Sequence, residues 1–169
     1  MNPYASPLPR RLFLAVVLAC AWLPAAHGTF AASSGDLDLS GTVATQCDVT
    51  VTATATAANL DLSTAGVSVN VGSVNETCND PDGYTVTAQS ANSSVLSPIG
   101  TSTDSVPYTF DYDATTFDLS GGGAVTVTDV NAATGAAGVD RTVTIDFAAP
   151  GFIAADTYTD TLTFTIAAK

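Results

Sequence analysis

Tyr158-Thr159-Asp160-Thr161-Leu162-Thr163-Phe164-Thr165-Ile166 alternates large apolar residues with Thr or Asp over most of its length. A period of two puts alternate side chains on opposite faces of an extended chain, so this stretch predicts a half-buried β-strand. The same pattern recurs upstream. Cys47, Val49, Val51 and Ala53 share one face, with Asp48, Thr50 and Thr52 on the other. Further runs are Val67-Val69-Val71, Tyr84-Val86-Ala88, Val106-Tyr108-Phe110-Tyr112, Val125-Val127 and Val143-Ile145-Phe147. Thr and Val dominate, and branching at Cβ suits a pleated surface. Past the N-terminal leader, no segment offers the i, i+3, i+4, i+7 stripe of an amphipathic helix.

Turn chemistry separates the runs: Asn79-Asp80-Pro81-Asp82-Gly83, Gly121-Gly122-Gly123 and Pro150-Gly151. About eight short strands with turns between them predict an all-β, immunoglobulin-like sandwich. Such a count fits a complete sandwich or one lacking its final strand. The antibody-type buried Trp is missing, since the single Trp is Trp22 in the leader.

The N-terminus reads as an export signal. Arg10 and Arg11 precede the apolar run Leu12–Leu23, Pro24 breaks it, and Ala26-His27-Gly28 carries small residues where a signal peptidase cuts. The run is shorter than the ~20 apolar residues that span a bilayer, so membrane insertion is not expected. Val17-Leu18-Ala19-Cys20 also has the look of a lipoprotein processing site, which would make Cys20 a lipidated N-terminus. The expected organisation is a signal over 1–28, an N-terminal extension over 29–40 and one domain over 41–169. Export places the chain in the periplasm in transit and then at the cell surface or outside the cell.

Composition narrows function. The whole chain has a net charge of −12. From residue 29 onward only Arg141 and Lys169 oppose sixteen acids, a net charge of −14. A surface of that sign repels nucleic acid and anionic lipid. The only histidine, His27, lies in the leader, which removes the commonest general base. The set of nucleophile, base and oxyanion donor cannot be filled, so no enzymatic activity is expected. Cys47 and Cys78 form one pair in an oxidising compartment, which reads as a disulfide. Closing a loop of that size stabilises by about 3 to 4 kcal/mol in the chain-entropy picture. Two cysteines without histidine do not make a zinc site. Asp80 and Asp82, or Asp111 and Asp113, are oxygen-rich, but turn chemistry and an outward strand face account for them, so no metal or other cofactor is expected. Asn75-Glu76-Thr77 and Asn92-Ser93-Ser94 match the weak glycosylation sequon.

Two stretches resemble a known family. Leu39-Ser40-Gly41-Thr42-Val43-Ala44-Thr45-Gln46-Cys47-Asp48-Val49 is similar to the start of chaperone–usher pilins, in which Gly and Val precede the first Cys. Ala155-Asp156-Thr157-Tyr158-Thr159-Asp160-Thr161-Leu162-Thr163-Phe164-Thr165-Ile166 resembles the pilin ending, and equally that of the spore coat protein U domain. The segment from Val71 to Thr87 has the same character, so the likeness covers most of residues 37–169. Departures are Ala155-Asp156 in place of Ala-Gly, and an Ala167-Ala168-Lys169 end without the frequent penultimate Tyr.

The resemblance implies a structural subunit of a pilus or surface fibre. Its missing strand would be supplied first by a periplasmic chaperone, working with an usher, and then by a neighbouring copy or related subunit, the β-strand-addition mode of recognition. On this reading residues 29–40 donate a strand through Phe30, Leu37 and Leu39. Tyr158, Leu162, Phe164 and Ile166 border the acceptor groove. Other implied readings are a self-complete, spore-coat-U-like surface or matrix protein, and an adhesive ligand-binding module, for which the chain has no second domain.

Overall fold

The alternating runs pair into antiparallel sheets. The computed structural model describes residues 32–169, and among them there is no helix. The strands are β1 (Cys47–Ala53), β2 (Gly66–Cys78), β3 (Tyr84–Ser90), β4 (Val95–Pro98), β5 (Val106–Pro107), β6 (Thr109–Tyr112), β7 (Thr115–Phe117), β8 (Val125–Val130), β9 (Val139–Phe147), β10 (Tyr158–Thr159) and β11 (Leu162–Ala168). One sheet has the order β1-β2-β9-β6-β7 and a second the order β11-β3-β8. A third, β10-β4-β5, prolongs the second: β4 follows β3 and β10 leads into β11. The amide of Ala91 donates to the carbonyl of Thr161 across the interruption.

Two sheets face each other over one core, as the polarity pattern requires. Val74, Phe110, Tyr112, Val143, Ile145 and Phe147 come from the first sheet. Ala88, Val125, Val127, Leu162 and Phe164 come from the second. Phe164 bridges the layers, its ring centroid 6.2 Å from that of Phe110 and 5.8 Å from that of Tyr112. The opposite faces carry Thr, Asp, Asn and Ser, so each strand has one wet side.

The alternating run 106–112 does not form one strand. Val106 pairs with Leu96, whereas Phe110 pairs with Ile145 of the other sheet. Tyr108 lies between the two pieces, and its amide donates to the carbonyl of Ser94. One continuous apolar face therefore serves two sheets, and the chain switches layer without losing its alternation. The run 158–166 is likewise broken, at Asp160-Thr161, where its partner changes from β4 to β3.

Cys47 and Cys78 sit directly opposite each other at one end of the β1–β2 ladder and are disulfide-bonded, 31 positions apart in sequence. The turn after Cys78 is closed by the Gly83 amide donating to the Asp80 carbonyl and by the Asp82 amide donating to the Asp80 carboxylate. Gly83 has φ +99°, and a Cβ there would stand 2.0 Å from the carbonyl oxygen of Val130, so only glycine fits. Residues Gly41–Lys169 form one compact unit. The described residues 32–40, in a separate unit, carry no strand, and Leu37 and Leu39 are exposed. Phe30 and the proposed signal lie outside the described residues.

Candidate binding groove

Among the described residues, β1 is hydrogen-bonded only to β2, and β11 only to β3. These two edge strands belong to different sheets, yet they lie side by side with no ladder between them. Their directions are opposite. β1 starts at the disulfide, and β11 ends opposite Tyr84, which packs with Cys78. Two antiparallel edges are thus left facing each other across a gap.

The gap is apolar. A cavity of about 290 Å³ opens there, lined by Val51, Leu60, Val71, Ile145, Leu162 and Phe164 among others. Leu162, Phe164 and Ile166 point inward but are only half-buried, and Val51 on the facing edge is 53% exposed. Inward-facing residues of the inner strands, such as Val86, Phe110 and Val74, are completely buried. The difference is positional: an inner strand is covered on both flanks, whereas β1 and β11 each have one flank without a hydrogen-bonded neighbour among the described residues.

The break in β10–β11 supplies the polar part of the wall. Asp160 turns its carboxylate inward, where Oδ2 accepts from the hydroxyls of Tyr108 (2.5 Å) and Ser90 (2.6 Å). Its Oδ1 accepts from the amides of Asn92 (2.9 Å) and Thr161 (2.7 Å). Burial, and then the bond to Asp160, pushes the Tyr108 phenol well above its ordinary value, so it stays a neutral donor. The strand interruption is therefore held by a carboxylate with all its acceptor positions in use.

The expected groove residues fall into three settings. Leu162 and Phe164 line the cavity. Ile166 packs against the cluster of Cys78, Tyr84 and Val86 at the disulfide end. Tyr158 lies at the other end, in a cleft formed with loop residues Leu62 and Ile153, with its hydroxyl donating to the carbonyl of Ala154.

The sequence reading did not single out a second constellation. Glu76, the only glutamate in the chain, is completely buried. Its Oε1 accepts from Tyr112 (2.7 Å) and Thr128 (2.6 Å), and its Oε2 from Tyr84 (2.9 Å) and the Arg141 Nε (3.4 Å). Arg141 also donates to Asp113 at 2.8 Å. The hub ties β2, β3, β6, β8 and β9 together. Burial first, and then Glu76, raises the Tyr84 phenol to about 12 and that of Tyr112 further still. A signal was present: Glu76 keeps the same parity as Val74 and Cys78, so period-two reading places it inward.

Among the described residues, no group of three or more His, Cys, Asp or Glu side chains is arranged to hold a metal ion, and no helix is long and apolar enough to cross a membrane. Compared with known proteins, the chain matches no family model, and no curated protein matches it.

Proposed function

We propose that this protein is an exported structural subunit whose open groove between β1 and β11 accepts an extended segment of another polypeptide, joining subunits into a pilus or surface fibre. The observation that carries the reading is a pair of antiparallel edges, without a partner among the described residues, flanking an apolar cavity. An exposed edge over apolar surface is an aggregation hazard unless something pairs with it. An inserted strand would part the two edges, whose Cα atoms approach within 8 Å, and then satisfy both by main-chain hydrogen bonds and fill the cavity with alternate side chains. β10 and β11 together span residues 158–168, an edge of ~36 Å at strand rise. The extension over 29–40 reaches ~40 Å when stretched out, a matching length.

On this reading a periplasmic chaperone covers the groove before assembly, an usher exports the subunit, and a neighbouring copy or related subunit fills the groove afterwards. The resemblance of residues 39–49 and 155–166 to chaperone–usher pilins supports the same conclusion.

Purified full-length exported protein should form a ladder of oligomers that survives SDS without heating. Deletion of residues 29–38 should abolish the ladder while leaving the folded domain and its open groove intact. A wild-type protein that stays monomeric, or a deletion variant that still forms the ladder, would overturn the proposal.

A further inference from the structure

The two ends of the compact unit differ in kind. At the end away from the disulfide, Val67, Ile99 and Phe152 are 78%, 69% and 104% exposed. Apart from Val43 near the extension and Val51 in the groove, these are the strongly exposed large hydrophobics of the described unit. All three belong to one pole. Val67 follows Gly66, which pairs with Phe147; the Ile99 amide donates to the Thr157 carbonyl; and Phe152 follows the Pro150-Gly151 turn.

The loops carrying Ile99 and Phe152 are tied together. The Asp156 carboxylate accepts from the amides of Gly100 (3.0 Å) and Ser102 (3.1 Å), and Asp104 accepts from the amide of Ala154 (2.7 Å). Bonding to the Ser102 and Thr157 amides holds the Asp156 carboxyl below its ordinary value. Phe152 is thus a knob on a braced loop. Beside it, a cleft of about 480 Å³ continues toward the groove, with which it shares Leu60.

The opposite pole has a hollow. A shallow depression of about 720 Å³ is lined by Cys47 and Cys78 together with Gln46, Asp48, Thr134 and Ala136 among others. Asn79 fixes the chain before Cys47: its amide group donates to the Ala44 carbonyl, and its carbonyl accepts from the Gln46 amide. Chain leading into the compact unit therefore arrives at the hollow's rim.

We propose that the Phe152 pole docks into the disulfide-lined hollow of a second copy, as a head-to-tail contact separate from the groove. The inference rests on the strand-donation reading, which fixes its geometry. A donor segment leads directly into its own subunit's hollow end. If the donor runs antiparallel to β11, it travels from the acceptor's disulfide end toward the acceptor's Phe152 pole, so the donor's hollow arrives at that pole. A parallel donor would instead bring two hollows together and leave both apolar poles in water. The exposed knob selects the first arrangement. Because knob and hollow are different surfaces, the contact is heterologous and repeats along a filament rather than closing a dimer.

The test uses full-length exported protein carrying Phe152→Cys together with Ala136→Cys, with each single variant alongside. The double variant should give a covalent ladder under mild oxidation, and the single variants none. Phe152→Asp, in the otherwise native chain, should raise the protein concentration needed for assembly by about tenfold, the effect of losing one buried aromatic contact. Binding of a labelled synthetic peptide of residues 33–45 to the groove should stay unchanged in that variant. Covalent dimers from Phe152→Cys alone would show a pole-to-pole contact and overturn the proposal. So would assembly indifferent to Phe152→Asp, or a double variant without cross-links in material that still binds the peptide. Failure of the peptide to bind the native protein would instead refute strand donation itself.

Discussion

Glu76 shows how one residue can organise a fold that is otherwise Thr and Val. A carboxylate in the core is tolerated because three hydroxyls and one guanidinium nitrogen aim at it. Those donors come from both sheets, so the hub works as a directional clamp where apolar contacts alone would permit sliding. Glu76→Gln removes the charge opposite Arg141, and the hydroxyls beside the new amide N–H must turn from donating to accepting. It should cost about 3 kcal/mol in chemical denaturation, as expected when one partner of a buried charge pair is lost. A cost near zero would mean that water replaces the bonds. The phenols give an independent reading. Tyr84 and Tyr112 have raised values in the folded state, so the fold favours their neutral forms. Their contribution is complete below the ordinary phenol value near 10 and disappears as pH rises toward and past 12. Tyrosinate absorbance should therefore lag that of the unfolded chain above pH ~10 and then rise together with unfolding. Immediate ionisation at pH ~10 would show the hub to be open to solvent. The parity of Glu76 was legible in sequence. Its partners were not, because Tyr112, Thr128 and Arg141 are 36, 52 and 65 positions away and meet it only through sheet packing.

At the scale of elements, alternation identified the runs but not their partners. The strand at 158–166 could be read from its own residues, whereas its break at Asp160 depends on Ser90, Asn92 and Tyr108, which lie in other elements. The missing ladder between β1 and β11 was equally invisible, since no strand count distinguishes a complete sandwich from an open one. Parity refines the proposed donor segment. From Gly35 to Val43 the chain reads Gly-Asp-Leu-Asp-Leu-Ser-Gly-Thr-Val, with Leu37, Leu39 and Val43 on one face and Asp36, Asp38, Ser40 and Thr42 on the other. Phe30 has the opposite parity to Leu37 and Leu39, so one uninterrupted strand cannot point all three into the same groove. Leu37→Ser or Leu39→Ser should therefore weaken binding of the 33–45 peptide by about tenfold each, from loss of an apolar anchor. In the full chain, Phe30→Ser should leave ladder formation unchanged. A ladder lost with Phe30→Ser and kept with Leu37→Ser would place the donor one residue out of this register.

For the whole molecule, charge sets the terms on which copies would meet in the proposed assembly. Residues 29–169 carry −14, and both of their cations are engaged within the chain, Arg141 with Glu76 and Asp113, Lys169 with Asp129. Opposite charges on a neighbour are thus unavailable to draw copies together, and like charges would oppose approach at every step of the proposed assembly. What favours assembly on this account is uncharged: an apolar groove, unpaired backbone edges and an aromatic knob. Those contacts are short-ranged, whereas the repulsion extends over the Debye length, ~30 Å at 0.01 M ionic strength and ~8 Å at 0.15 M. Added salt should therefore remove the barrier while leaving the attraction in place. The elongation rate of the full-length protein, followed by light scattering, should rise steeply between those two ionic strengths. Dissociation of assembled fibres should change little, since like charges act mainly on approach. Elongation that slows as salt is added would mean that ion pairs hold the subunits together, and the contacts between copies would then have to be sought away from the groove and the Phe152 pole.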